Sequence, residues 1–157
     1  MVTTKHVALR AGVWLCGCLL LAAGAAAAKP WKGAVPGETS RSRIIDKFGA
    51  PTREISKGGK LSDGLRYEGD QAIEGALQAD FYFDKDRKLW RIDVIPARDL
   101  NREQIIRVYG EDYREGTLEN GLRYLQYAES GLTVFFEKEA DRVKVFLFTA
   151  ADTGPGR

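Results

Sequence analysis

The sequence predicts an α+β fold, a two-layer sandwich in which two tandem repeats form one antiparallel sheet with helices on one face. Three observations predict it. The stretch Ala79–Ile95 alternates apolar and polar residues around a charged turn, which is typical of a β-hairpin. A short amphipathic helix precedes this hairpin. The same order of helix, strand and hairpin recurs towards the C-terminus, which indicates a duplicated unit.

The first 28 residues are predicted to be a secretory signal peptide. Lys5 and Arg10 supply the basic start, and the 18 residues that follow Arg10 are uncharged and end in small side chains. We expect cleavage after Ala28, which predicts a periplasmic or secreted protein.

Two alternatives to a cleaved leader stay open. An uncharged run of 18 residues is also long enough for a membrane anchor. The tetrad Leu15-Cys16-Gly17-Cys18 loosely resembles a lipobox, and lipid on Cys18 would make the protein an outer-membrane lipoprotein. Contact with a membrane is expected only in these cases.

Removal of the leader changes the chemistry that the chain carries. Of the 157 residues 129 remain, and the net charge falls from +2 to 0 because Lys5 and Arg10 are lost. A neutral chain has no bulk charge for nucleic acid. The mature chain also lacks His and Cys, so triads, thiol nucleophiles and imidazole or thiolate metal sites are excluded. We expect no cofactor, no metal and no enzymatic activity.

The remaining chain is predicted to divide into a linker, one domain and a tail. Residues 29–38 are rich in Pro and Gly and predict a linker, and residues 150–157 predict a flexible tail. The predicted domain spans residues 39–149 and comprises two repeats, 39–96 and 100–149.

Each repeat is predicted to open with a short helix that has a recognisable start and stop. Thr39 or Ser40 can cap the first helix, and Gly49 can end it. Asn101 and Gln104 have the spacing of a capping box at the start of the second helix.

Two alignments between the repeats set the predicted faces of the sheet. Gly64-Leu65-Arg66-Tyr67 recurs letter for letter as residues 121–124. Residues 132–148 follow Ala79–Ile95 at a constant offset of 53, which predicts hairpin turns of equal length. The core residues predicted on this basis are Phe81, Phe83, Trp90, Ile92, Val94, Leu132, Val134, Phe136, Val143, Val145 and Leu147.

Residues 36–96 resemble the SmpA/OmlA (BamE-like) family. The motifs that carry the resemblance are Gly37-Glu38-Thr39, Phe48-Gly49-Ala50-Pro51, Tyr67 and the strand start Leu89-Trp90-Arg91-Ile92. The duplication is similar to that of the β-lactamase inhibitor protein fold. This resemblance implies a non-enzymatic envelope protein that works by contact, with a role in outer-membrane assembly.

The open face of the predicted sheet is the candidate binding surface. Tyr82, Arg91, Phe135, Lys144 and Phe146 are the predicted partner-binding residues, since aromatic residues mixed with Arg are typical of protein interfaces. We therefore predict a protein-binding or scaffold module of the bacterial cell envelope. A homodimer through this face, or cover by the N-terminal segment, stays open.

Two other function classes are kept as alternatives. The duplication suggests an inhibitor of a secreted or periplasmic enzyme. Asp80 and Asp93 are expected to face each other across the hairpin on the open side, and paired carboxylates could serve a hydrolase. The neighbouring Arg91 favours an ordinary ion pair over catalysis.

Overall fold

The structure, a computed structural model, describes residues 28–151, and these form one antiparallel sheet of eight strands with two short helices. Residues 1–27 of the predicted signal peptide and 152–157 of the predicted tail lie outside the described residues. The elements are α1 (Arg41–Phe48), β1 (Arg53–Ile55), β2 (Asp63–Glu68), β3 (Ala76–Phe83), β4 (Leu89–Pro96), α2 (Arg102–Tyr109), β5 (Arg114–Thr117), β6 (Arg123–Tyr127), β7 (Leu132–Phe136) and β8 (Val143–Thr149). The strand order is β1-β2-β3-β4-β8-β7-β6-β5, so β4 and β8 join the two halves.

The predicted α+β sandwich is wrong, because the chain is largely β. Strands, counted with the isolated β-bridges, account for 44% of the described residues, and helices, counted with two short 3₁₀ turns, account for 18%. Each α-helix has only eight residues and fully buries a single side chain, Ile44 in α1 and Ile105 in α2. Helices this short do not form a layer of their own. The core is instead built mainly from strand side chains on one face of the sheet.

The helix ends follow the predicted capping chemistry. The Ser40 hydroxyl accepts from the Arg43 amide at 3.3 Å, so Ser40 rather than Thr39 caps α1. The capping box of α2 is confirmed: Asn101 and Gln104 each accept from the other's backbone amide at 2.9 Å. Gly49 ends α1 at a φ of 82°, a conformation that glycine adopts without steric cost.

A buried tyrosine ties each helix to the sheet. Tyr67 donates its hydroxyl to the Gly49 carbonyl at 3.0 Å, and Tyr127 donates to the Gly110 carbonyl at 3.1 Å. The ring of Tyr67 also packs against Phe48, with 6.0 Å between ring centroids. The two helices are therefore fixed by the same contact in both halves.

This contact corrects the predicted match between residues 64–67 and 121–124. Tyr67 pairs with Ala79, whereas Tyr124 pairs with Phe135 on the opposite face of the sheet. The residue at the position of Tyr67 is Tyr127, which pairs with Leu132. The four-letter identity is therefore out of register by three residues, an odd number that exchanges the two faces.

The predicted linker packs on the core. Trp31 lies 5.9 Å from Phe81 between ring centroids, and Ala34 is fully buried. The Lys29 ammonium lies 4.1 Å from the ring centroid of Tyr109, and its backbone amide donates to the Ser130 carbonyl at 2.9 Å. Residues 29–34 therefore contact both halves of the molecule on the side that carries the helices.

We expect the protein to lose stability above about pH 10 because of its buried tyrosines. Burial raises the pKa of Tyr67, Tyr109 and Tyr127 above the ordinary 10.0. As the pH rises past that value, tyrosines of the unfolded chain ionise first. The unfolded state then binds fewer protons than the folded state, so the free energy of unfolding falls. Below pH 10 the tyrosines are protonated in both states, and their contribution to stability is fully present.

Urea denaturation between pH 8 and 11 measures this decline. The double variant Tyr67→Phe, Tyr127→Phe should show a shallower decline, although its stability at pH 8 is lower because two hydrogen bonds are lost. Tyr124→Phe, which alters the open face, is the matched control and should keep the wild-type slope. An unchanged slope in the double variant would contradict the assignment.

Candidate functional site: the open face of the sheet

The face of the sheet opposite the helices has a polar half and an apolar half. The polar half belongs to β2–β4 and the residues beside them, and the apolar half belongs to β6–β8 with the end of β4. The polar half contains the side chains of Lys57, Arg66, Gln78, Asp80, Tyr82, Arg91 and Asp93. The apolar half contains Ile95, Tyr124, Phe135, Val145 and Leu147, and the polar side chains of Gln126, Thr133 and Thr149 lie on the same part of the face.

Two buried carboxylates organise the polar half. Asp80 and Asp93 are opposite each other on β3 and β4, as the sequence predicted. Asp80 is 1% exposed, and its two oxygens accept from Arg66 Nε at 2.7 Å and Nη2 at 2.6 Å. Gln78 donates to the same carboxylate at 3.1 Å. Such a bidentate pair is stronger and more directional than a single charged hydrogen bond.

Asp93 is held in the same way by two cations. Arg91 donates from Nη2 at 2.8 Å, and the Lys57 ammonium donates at 3.0 Å from the loop after β1. Lys57 therefore reaches across the face, and its ammonium lies 4.9 Å from the ring centroid of Tyr82. Burial alone would lower the pKa of Lys57, but contacts with Tyr82 and Asp93 outweigh it and raise that pKa.

This polar layer changes the role predicted for Tyr82. The side chain lies on the predicted face, but it is fully buried beneath Lys57 and donates to Asp80 at 3.3 Å. Its ring also lies over Gly64, where an added Cβ would stand 3.0 Å from the ring. Tyr82 is therefore not available as an exposed contact residue. Arg91 is only partly exposed, because it is committed to Asp93.

The apolar half is a row of partly exposed side chains across four strands. Tyr124 and Phe135 are paired residues whose ring centroids lie 5.8 Å apart. Phe135 in turn pairs with Val145, and Leu147 pairs with Asp93 at the border with the polar half. The end of the Tyr124 ring occupies the space beside Gly116 on the edge strand, where an added Cβ would clash with the tyrosine hydroxyl oxygen.

The second hairpin shows the largest error in the predicted faces. Phe146 is 8% exposed and Phe148 is 3% exposed, and both belong to the core rather than to the open face. Val145 and Leu147, predicted to be buried, are on the open face instead. Phe146 is therefore withdrawn as a partner-binding residue.

The cause is a turn that is one residue longer in the second hairpin. Phe83 pairs with Leu89 across five intervening residues, whereas Phe136 pairs with Val143 across six. The constant offset of 53 thus ends at the turn, and it becomes 54 in β8. Because side chains alternate with period two, this single residue exchanges the faces of the whole strand.

A β-bulge occupies the equivalent place in both hairpins. The pairing skips Trp90 in β4 and Lys144 in β8. Trp90, predicted to be in the core, is 36% exposed for this reason. Lys144 is exposed at the border of the apolar half. Bulges often redirect a side chain out of the regular alternation.

The sequence did not predict four members of this face, Lys57, Tyr124, Val145 and Leu147. Lys57 contributes through a contact 36 residues along the chain, for which the sequence has no local signal. Val145 and Leu147 follow from the true register of β8, for which the extra residue between Phe136 and Val143 was the signal. Tyr124 follows from the corrected register of β6.

Two further features of residues 28–151 bear on the site. No helix there is long and apolar enough to cross a membrane. The same residues contain no cluster of three or more His, Cys, Asp or Glu side chains placed to hold a metal ion.

Comparison with known proteins supports the fold alone. No family model and no curated protein matches the chain. The chain is similar to a DUF4309 family protein (YjgB) from Bacillus subtilis, with a TM-score of 0.56, 14% identity and coverage of 77% of this chain and 86% of that one. An extracellular protein containing a SCP domain from Bacillus anthracis aligns with a TM-score of 0.49 and 11% identity, over 98% of this chain and 51% of that chain.

Proposed function

We propose that this chain is a non-enzymatic, secreted or periplasmic protein-binding module of the bacterial cell envelope. Its partner binds on the apolar half of the open face. The observation that carries the proposal is the row Tyr124, Phe135 and Val145, which lies partly exposed across neighbouring strands and is covered by neither α1 nor α2. Aromatic and aliphatic side chains in one exposed row are typical of a protein interface.

The charges around this row favour a partner with an acidic rim. Positively charged side chains outnumber carboxylates on the open face of the strands. The carboxylates Glu68, Asp80 and Asp93 pair with the cations Arg53, Arg66, Arg91 and Lys57, which leaves Arg114 on β5 without a salt bridge among residues 28–151. Lys144 adds a further cation beside Val145. The three carboxylates on this face of a second copy are already paired, so they offer no partner to Arg114 and Lys144, which favours a different protein over a homodimer.

The paired carboxylates support a hydrolase less well than they support structure. Asp80 accepts from Arg66, Gln78 and Tyr82, and Asp93 accepts from Arg91 and Lys57. A general acid or nucleophile needs an oxygen free to meet substrate. Here the oxygens are committed to neighbouring side chains, so the polar half stabilises the sheet beside the binding surface.

Secretion is part of the proposal and depends on the N-terminal leader. The basic start and the uncharged 18-residue run support it. The resemblance to the SmpA/OmlA family stays a prediction, and with it the role in outer-membrane assembly.

A charge placed in the apolar row should abolish partner capture. The immobilised full-length protein is used to capture partners from solubilised envelopes and from culture medium, and the retained protein is identified by mass spectrometry. Phe135→Glu should weaken its binding by more than about tenfold, since a buried unpaired charge costs more than 1.4 kcal/mol. A photoreactive residue at position 135 should cross-link to the same partner.

Val108→Glu is the matched control, since Val108 is an exposed apolar residue on the helix side, 70% exposed. It should retain the partner that Phe135→Glu loses. Equal capture by all three proteins would refute the proposal. A concentration-dependent dimer in analytical ultracentrifugation that Phe135→Glu dissociates would also refute it, because the face would then be occupied by a second copy.

A further inference from the structure

A groove at the β3–β4 turn lies outside the apolar half and has its own chemistry. It encloses about 620 Å³ between this turn and the loop that joins β1 to β2. Its lining includes the aromatic side chains of Trp90 and Phe83 and the basic residues Lys60, Lys85 and Arg87. This volume is within the range of small-molecule sites in proteins, about 300–1,000 Å³.

The bulge in β4 supplies the aromatic surface of the groove. Because the pairing skips Trp90, its indole leaves the core side and is 36% exposed at the groove. The Lys60 ammonium lies 5.8 Å from the indole ring centroid. Lys144, at the equivalent bulge of the second hairpin, offers no such ring. The groove is therefore particular to the first half of the molecule.

The charges of the groove do not cancel. Within residues 28–151, no carboxylate forms a salt bridge with Lys60, Lys85 or Arg87. The lining has three cations and two carboxylates, and one of these carboxylates lies beside a cation outside the groove. Asp84 accepts from the backbone amides of the turn at 2.9 Å, and Asp63 lies 3.4 Å from Arg41. The cations are thus left to face the groove, which favours an anion.

We propose that this groove binds a small anionic ligand with a flat apolar ring face. The ring stacks on the indole of Trp90, and the carboxylate of the ligand is bound by Lys60, Lys85 and Arg87. Charged hydrogen bonds of this kind provide orientation, and the indole provides the apolar contact area. Acidic saccharides and aromatic carboxylates share this chemistry. The site is independent of the partner surface proposed above.

Titration of the full-length, ¹⁵N-labelled protein tests the proposal, with the indole N–H signal of Trp90 as the readout. The acidic probes are trigalacturonate and 2-naphthoate, and their neutral counterparts are maltotriose and 2-naphthalenemethanol. At low salt at least one acid should shift the signal, and its neutral counterpart should bind about tenfold more weakly, since it lacks the charged hydrogen bonds to the cations of the groove. The acid that binds distinguishes a saccharide from an aromatic ligand.

Calorimetric titration of variants with the acid that binds tests whether the ligand occupies this groove. Trp90→Ala and the double variant Lys60→Ala, Lys85→Ala should each lower the affinity for the acidic probe by about tenfold or more. Trp90→Phe, which keeps a ring, should weaken it less and guards against a folding defect in Trp90→Ala. Lys138→Ala, Lys144→Ala is the matched double control and should bind as the wild type does.

Three results would overturn the proposal. The first is that neither acid shifts the indole N–H signal of Trp90 in the folded protein. The second is that an acid and its neutral counterpart bind with equal affinity. The third is that the control variant Lys138→Ala, Lys144→Ala loses as much affinity for the acid as the groove variants do.

Discussion

Phe146→Ala is expected to lower the free energy of unfolding by about 3–5 kcal/mol, the usual cost of truncating a buried phenylalanine. Phe146 is 8% exposed and pairs with Val94 on β4 and with Val134 on β7. Its ring stacks on that of Phe148, with 6.4 Å between centroids. The truncation leaves a cavity where the two halves of the sheet meet, and the regular strands around it leave little room for relaxation.

Phe135→Ala is the matched control, because it removes the same atoms from the neighbouring strand on the opposite face. We expect a smaller loss, about 1 kcal/mol, since the ring already contacts solvent. Urea denaturation of both variants at neutral pH measures the difference. If Phe146→Ala cost no more than Phe135→Ala, Phe146 would lie on the open face, as the sequence repeat predicted, and the face assignment of β8 would be wrong.

Asp80→Ala is expected to cost about 3–5 kcal/mol, because it leaves the Arg66 guanidinium without its partner inside the sheet face. The Arg66 side chain is 19% exposed, so water replaces the lost carboxylate only in part. Tyr82 and Gln78 also lose their acceptor. The effect should therefore exceed that of a surface ion pair by several-fold.

Two variants separate the lost ion pair from the lost side chain. Asp141→Ala breaks the ion pair between Asp141 and Arg123. The Asp141 side chain is 60% exposed, so this substitution should cost no more than about 1 kcal/mol. Asp80→Leu combined with Arg66→Met should regain most of the stability, since neither charge is left unpaired. Thermal and urea unfolding give the three values. A loss for Asp80→Ala no larger than for Asp141→Ala would show that the pair is solvated.

Local structure followed from the sequence wherever the determining residues are close together in the chain. The capping box at Asn101 and Gln104 and the glycine stop at Gly49 depend on contacts within a single turn. The pairing of Phe81 with Ile92 was also predicted correctly, because the alternation on both sides of that turn leaves few alternatives. The opposition of Asp80 and Asp93 followed from the same pattern.

The fold class was not predictable in the same way. The helical segments were found, but how much of the core a helix covers depends on what else packs there. Residues 29–34 take part of that space, through Trp31 and Ala34, although their composition is typical of a linker. With each helix burying a single residue completely, the sheet dominates the structure.

The sequence by itself determined the two helices with their caps, the two hairpins and the pairing of the first hairpin near its centre. Only the tertiary structure decided which side of β8 faces the core, that Trp90 leaves the core for a groove, and that Lys57 covers Tyr82. The physical reason is that local patterns have period two, so one extra residue in a turn or one bulge inverts them. Contacts such as that between Lys57 and Asp93 join residues 36 positions apart, and only the folded sheet brings them together.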